Sequence, residues 1–190
     1  MDWEINTHNF DGPRYAPTPQ YRRRSILARA RNRLLAQALH EHAWVLWIDV
    51  DVAWWPPDVI EQLQAVQQPI VVPHCVLTQG GASLDWNSFK LAPEAAQIDW
   101  SAYLLDGLFQ PPPRVGRLFL DQLRQYDLVE LDSVGGTMLL IQADLHREGL
   151  IFPQFSYKHY IETEGLAQMA HDMGHRCWGL PNLEILHPAL

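Results

Sequence analysis

The stretch that most constrains this chain is Trp44-Val-Leu-Trp-Ile-Asp49-Val-Asp51-Val. A short β-branched and aromatic run, Trp44 to Ile48, stops abruptly at two aspartates one residue apart. Such a run reads as a buried strand. Side chains alternate across a strand, so if extension continues past Ile48, Asp49 and Asp51 present their carboxylates on one side, where a cation joins them. Hard oxygen ligands suit Mg²⁺ or Mn²⁺, which use one or two protein carboxylates together with substrate phosphates. The plainer alternative is a pair of strand-end aspartates capping the next turn.

Around this stretch the apolar spacing alternates between helix and strand. Ile26, Leu27, Ala30, Leu34, Leu35, Ala38 and Leu39 recur at helical intervals, which predicts a helix from about Tyr21 to His40. Residues 1–21 carry Pro13, Pro17 and Pro19 and read as an irregular lead-in. A second helix is expected from Pro57 to Gln67, with Val59, Ile60, Leu63 and Val66 inward, and a buried strand over Pro69–Pro73. Helix, strand, helix, strand implies parallel strands with right-handed crossovers, hence an α/β layer fold.

Residues 78–113 lose periodicity, carry Gly80-Gly81 and Pro111-Pro112-Pro113, and read as a long loop or lid. Val115–Tyr126 is expected to be helical, with Leu118, Leu120 and Leu123 turned inward. Val129–Leu131 and Val134–Ile141 read as strand, glycine pair, strand. Ala143–Glu148 is a short helix, and a helix from Ile161 is closed by Gly174. Arg176–Leu180 and Leu183–Leu186 read as two final strands. One domain spans 1–190.

Composition narrows the function classes. The chain has 190 residues and a formal net charge of −8, which argues against nucleic-acid binding and its basic footprint. Cys75 and Cys177 are too few for a disulfide framework or a zinc site and read as two buried thiols. The N-terminus lacks the pattern of a signal peptide. No apolar run approaches the roughly 20 residues that span a bilayer, so a cytoplasmic or membrane-peripheral protein is expected. Among eight tryptophans, Trp54, Trp55, Trp86 and Trp100 sit where aromatic faces line sugar sites or simply pack.

Several further motifs lie in order along the chain: Ala28-Arg29-Ala30-Arg31-Asn32-Arg33, Pro56-Pro57-Asp58, Val72-Pro73-His74-Cys75, Val134-Gly135-Gly136-Thr137, Ala143-Asp144-Leu145-His146-Arg147, Ile161-Glu162-Thr163-Glu164-Gly165 and Gly179-Leu180-Pro181-Asn182. With the aspartate stretch, they resemble glycosyltransferase family 62, the fungal Golgi mannosyltransferases that build α-1,6 mannan. The resemblance runs from about residue 22 to 188.

It implies a GT-A-like, Rossmann-like fold with a mixed, mostly parallel sheet flanked by helices. It also implies a GDP-mannose donor, a glycan acceptor, Mn²⁺ (or Mg²⁺) and transfer with retention at the anomeric carbon. Asp49 matches the first aspartate of the family's Asp-x-Asp, near the donor ribose or the metal, and Asp51 its principal metal carboxylate. His187 resembles the family's C-terminal metal histidine; otherwise it is an ordinary strand-end histidine.

Gly135 and Gly136 permit close backbone approach to a ligand, or form a bulge or tight turn. Arg29 and Arg31 meet a diphosphate or an internal carboxylate, with a solvated face the alternative for Arg29. Glu162 and Glu164 are expected on opposite sides of a helix start, in separate roles, with the family pattern assigning that segment to the acceptor or sugar site. Asp132 and Asp144 are weaker candidates, and Asn32 is expected to satisfy a neighbouring loop.

The family's catalytic domain begins well before its arginine helix. A βαβ unit needs about 30 residues, so the N-terminal βαβ part is expected to be shortened here. A homo- or hetero-oligomer that completes the base pocket fits that shortening, as does a fragment of a type II membrane protein acting in the Golgi lumen. Two functional readings follow: a metal-dependent retaining glycosyltransferase, and a non-catalytic nucleotide-sugar or glycan-binding subunit that needs a partner.

Overall fold

The computed structural model describes residues 17–188. Helix α1 (Pro17–Ala38) leads into β1 (Trp44–Ile48), α2 (Val59–Ala65) and β2 (Ile70–Val76). Short strands follow: β3 (Phe89–Leu91), the hairpin β4 (Leu104–Leu105) with β5 (Leu108–Phe109), and β6 (Arg117–Phe119). The chain then forms β7 (Val129–Leu131), β8 (Met138–Gln142), α3 (Ala143–Arg147), α4 (Glu162–Asp172) and β9 (Cys177–Leu186). The expected lead-in therefore falls partly outside the described residues, and from Pro17 onward it is already helix.

Five strands form one sheet in the order β1-β8-β2-β9-β7. The sheet is mixed, and the expectation of a mostly parallel one is corrected. Only β2 and β9 pair in parallel; β8 is antiparallel to both β1 and β2, and β7 is antiparallel to β9. The crossover through α2 does join co-directional strands, but β8 occupies the place between them. Local periodicity carries no record of that insertion, because β8 lies some ninety residues along from β1.

Period-2 alternation divides the sheet's side chains between two cores. Val45, Trp47, Ile70, Val72, Leu139 and Ile141 face α1, α3 and α4, meeting Ala28, Leu35, Leu145, Leu166 and Ala170. Trp44, Leu46, Val71, Cys75, Met138 and Leu140 face α2 through Val59 and Leu63. Helices thus cover both faces. All seven residues of β2 are buried. Cys75 and Cys177 are buried free thiols, and burial pushes the Cys75 thiol up to about 12.

Two local expectations fail. Val115–Tyr126 is not a helix: Arg117 to Phe119 pair with β3, and a single 3₁₀ turn, Leu120–Gln122, follows. Leu120 and Leu123 still reach the core, so the apolar spacing was real but served a strand and a turn. The last two strands are one strand, β9, whose register against β2 jumps between Pro73 and His74 where Pro181 to Leu183 are accommodated.

Candidate functional site

A cavity of about 310 Å³ opens at the end of β1. Helix α1 supplies Arg23, Arg24 and Arg31, the turn after β1 supplies Asp49 and Asp51, and the loop after β2 supplies Asp85 and Asn87. Gly136 and Thr137 precede β8, and Glu162 and Thr163 begin α4. Arg24 and Arg31 are seven residues apart, two helical turns, and so share a face.

The α1–α4 wall is a chain of alternating charges. Arg31 binds the Glu162 carboxylate and reaches Asp49 Oδ1 at 3.3 Å. Arg24 binds the Glu164 carboxylate and lies 3.9 Å from Glu162. Glu164 also faces Arg117 at 3.6 Å, and the Arg117 guanidinium lies 4.1 Å over the Phe89 ring. Burial pushes the Glu162 carboxyl up against the opposing pull of Arg31 and Arg24. Burial disfavours the Arg24 cation, yet Glu164 and Glu162 together hold its pKa above the ordinary value.

Glu162 has φ +59°, a left-handed conformation that L residues with a Cβ seldom adopt. It follows the extended Ile161. That reversal is why the expectation for the two glutamates fails: Glu162 and Glu164 meet the same Arg24, since the helical offset of positions i and i+2 does not hold across a left-handed residue.

The other wall is more open. β1 ends at Ile48, and the amide of Val52 donates to the Asp49 carbonyl at 3.2 Å, so a turn replaces the expected extension. The two carboxylates line one cavity but look different ways. Asp49 faces Arg31, and burial raises its pKa against the pull of that guanidinium. Asp51 Oδ1 lies 3.0 Å from His187 Nε2, so the far end of the chain closes on the aspartate pair.

His187 Nδ1 lies 2.8 Å from the Pro188 carbonyl. A carbonyl only accepts, so Nδ1 carries the proton, and in neutral imidazole Nε2 then presents a lone pair. A lone pair and a carboxylate oxygen at 3.0 Å need a proton or a cation between them. That donor set fits a divalent metal finished by phosphate and water oxygens. Among the described residues no three His, Cys, Asp or Glu side chains form a ready-made metal cage.

Other expected site residues fall differently. Arg29 lies outside the cavity, its Nε donating to Gln154 at 3.2 Å on an exposed surface. What approaches the glycine pair is protein: a Cβ on Gly135 would stand 1.6 Å from Asp85 Oδ2, and one on Gly136 would stand 2.4 Å from Arg31 Nη2. Asp132 accepts from the Leu91 amide at 2.6 Å, and Asp144 pairs with Arg147 at 2.6 Å. Asn32 satisfies the chain at Phe152 in both directions, at 2.7 and 2.9 Å, as expected.

Besides Arg24, three further cavity residues did not stand out in the sequence and bear on its chemistry. Arg23 lines the cavity and has no ion-pair partner among the described residues. Thr163 lines it with a buried hydroxyl that has no hydrogen-bond partner among the described residues. Asp85 accepts from the Asn87 amide at 3.0 Å and the Ser88 hydroxyl at 3.3 Å, and burial pushes it up to about 6. The available signal for Asp85 was its place in Asp85-Trp86-Asn87-Ser88, inside a loop long enough to be functional.

Comparison with known proteins bears on this cavity. A family model described as Anp1 matches residues 5–156. The chain is 33% identical over 197 residues to the mannan polymerase complex subunit mnn9 of Schizosaccharomyces pombe, covering 98% of this chain and 58% of that protein. It is 34% identical over 189 residues to the mannan polymerase I complex VAN1 subunit of Saccharomyces cerevisiae, covering 92% and 35% respectively. Against the mannan polymerase II complex ANP1 subunit of the same yeast, identity is 33% over 180 residues, covering 87% and 36%. The chain thus spans between 35% and 58% of the length of these relatives. No helix among the described residues is long and apolar enough to cross a membrane.

Proposed function

This chain belongs to the Anp1 family, and from that premise we propose that it is the nucleotide-sugar-handling part of a mannan polymerase type of subunit. It transfers mannose from GDP-mannose, with retention, to a glycan acceptor, and works in an assembly with other subunits in the Golgi lumen. The sheet covered by helices on both faces, with its acidic turn at a strand end, supports a GT-A-like reading.

The observation that carries the proposal is the Asp51 carboxylate facing His187 Nε2 at 3.0 Å, on the rim of a cavity that is also lined by Arg23, which makes no ion pair among the described residues. Asp51 and His187 hold Mn²⁺ (or Mg²⁺), with Asp49 beside them. Such an ion, when bound, is a Lewis acid that offsets the charge growing on a departing nucleoside diphosphate. Arg23 meets the diphosphate as a planar, bidentate donor. Arg31 holds Asp49 and Glu162 in place, and Arg24 fixes the start of α4. Asp85 and Thr163 are left to face the sugar.

The test is isothermal titration of GDP into the purified chain with and without Mn²⁺, beside turnover with GDP-mannose and a panel of other nucleotide-sugars. Mn²⁺-dependent binding that Asp51→Ala weakens at least a hundredfold, with the fold intact, is expected. Binding indifferent to both metal and substitution removes the proposal. Binding without turnover leaves the nucleotide-sugar-binding subunit that needs a catalytic partner.

A further inference from the structure

The turn Asp85-Trp86-Asn87-Ser88 is pinned to the rest of the molecule from two sides, and both pins bear on one carboxyl group. On one side Asn87 Oδ1 accepts from the Arg24 guanidinium of α1, which the Glu164 carboxylate of α4 holds in turn. On the other side β3 begins directly after the turn. The Phe89 amide donates to the Ser133 carbonyl at 3.2 Å, and the amides of Asp132 and Ser133 donate to the Phe89 carbonyl at 3.0 and 3.2 Å. Phe89, Ser133 and Val134 are fully buried. This seam sets Ser88 against the glycine pair that precedes β8.

Ser88 is itself buried. The Gly135 amide donates to its Oγ at 2.9 Å, and Oγ lies 3.3 Å from Asp85 Oδ2. An amide only donates, so the Gly135 bond takes a lone pair of Oγ and leaves the single hydroxyl proton for Oδ2. The other carboxyl oxygen, Oδ1, accepts from the Asn87 amide at 3.0 Å. Each oxygen of Asp85 thus meets a donor, which favours the carboxylate over the acid.

Gly135 completes the fit. It does not have the positive φ that calls for glycine. What calls for glycine here is space, because the Asp85 carboxyl occupies the place where a Cβ would stand. Around that carboxyl, burial, Asp49 after β1 and Glu162 at the start of α4 oppose ionisation. The Arg24 guanidinium of α1 favours it, and the Cys75 thiol of β2 lies within its field.

We propose that Ser88 is a positioning residue: its hydroxyl, oriented by the Gly135 amide, holds the Asp85 carboxylate in the space left by the glycine and keeps it ionised toward the sugar. The inference rests on the reading of the cavity as a sugar-transfer site. In the ionised state Asp85 accepts from a hydroxyl of a neutral hexose; protonation turns one of those acceptor positions into a donor.

Carbon NMR of the chain labelled at its aspartate carboxyls reads Asp85 with no substrate present, and Asp85→Asn identifies the signal. Ser88→Ala is expected to raise the Asp85 titration midpoint by about one pH unit. The low-pH limb of mannose transfer from GDP-mannose moves up with it, while transfer above the new midpoint stays within a few-fold of the unsubstituted chain. Ser88→Cys keeps nearly the same volume with a weaker donor and shifts the midpoint the same way by less. It decides the matter if circular dichroism shows that Ser88→Ala does not fold. A midpoint that stays or falls in the folded variants overturns the proposal, as does a raised midpoint with an unmoved low-pH limb. A raised midpoint in a chain that transfers no sugar at any pH upholds Ser88 as the residue that positions Asp85 and removes the sugar-transfer reading alone.

Discussion

The two walls of the cavity carry similar residues in opposite states. Between α1 and α4 the carboxylates are spent on guanidinium groups, and the side chains of Glu162 and Glu164 are only 6% and 4% exposed. Across the gap, Asp49 and Asp51 are 43% and 42% exposed, and Arg23 has no ion-pair partner among the described residues. Charges sealed from water with their partners hold a structure; charges left half-exposed, as Asp49 beside Arg31 and Asp51 beside His187 are, can hold a ligand. The comparison separates architecture from chemistry in a site where residue type alone does not. It breaks if the paired wall tolerates substitution or the open wall does not.

The largest effect belongs to the paired wall. Arg31→Ala leaves Glu162 buried without its directly bonded guanidinium, with Arg24 at 3.9 Å, and removing one partner of a buried pair costs about 3–5 kcal/mol. Urea denaturation is expected to show that loss. A variant as stable as the unsubstituted chain would mean that Arg31 waits for a ligand and that the wall is not architectural.

Asp85 comes next and belongs to the open side despite its burial. Its carboxyl is pushed up to about 6 from an ordinary 3.8, by burial first, with the Asn87 amide and Ser88 hydroxyl opposing and the charges of Asp49 and Glu162 adding to the rise. The native state therefore holds this proton more tightly than the unfolded state does. The stability contributed is fully present below about pH 4 and is lost as pH rises through 6, to a total of up to ~3 kcal/mol. Asp85→Asn is expected to flatten stability between pH 4 and 7, to be the more stable protein at pH 7, and to lose sugar transfer. A slope that survives the substitution would acquit Asp85. Gained stability with lost transfer is what a group retained for chemistry predicts.

Legibility in the sequence divides along physical lines as well. What depends on a residue's near neighbours was readable: the α1 stripe, the β1 run, the inward Leu118, Leu120 and Leu123, the αL end of α4 at Gly174 with φ +87°. What depends on long-range pairing was not. Nothing near Trp44 or Ile70 records that β8 lies between their strands, and the parallel-sheet expectation failed there. Within the site, Asp49, Asp51, Arg31, Glu162 and His187, far apart in sequence, lie together at the end of β1. Arg23 and Arg24 did not stand out, because an amphipathic pattern separates apolar from polar and cannot tell a solvated face from one turned into a cavity. Asp85 hid for a related reason, since its burial is conferred by Gly135, fifty residues away in sequence.

Arg23 sharpens the comparison on the binding side. Its guanidinium acts on Asp49 and Glu162 only through space and makes no ion pair among the described residues, so Arg23→Ala is expected to cost little stability. Its loss removes one charge-assisted contact to a diphosphate, about a tenfold weakening of GDP affinity or ~1.4 kcal/mol. Calorimetry at fixed Mn²⁺ reads it directly. An unchanged affinity would move the diphosphate elsewhere in the cavity.

The smallest expected effect is the most telling. Asp51 sits in a turn with its carboxylate well exposed, and its partner His187 lies at the end of the chain. A pair whose carboxylate is this exposed contributes about 0–1 kcal/mol to stability, so Asp51→Ala should leave the urea midpoint almost unmoved. The same substitution is expected to weaken metal-dependent nucleotide binding at least a hundredfold. The two readouts separate the roles open to this carboxylate. If it caps a turn, stability falls and binding survives; if it waits for a cation, stability holds and binding goes. Glu162→Gln supplies the opposite case, since it strips charge from a residue that Arg31 and Arg24 both need. A stability loss there that exceeds the Asp51→Ala loss is the ordering the two walls require.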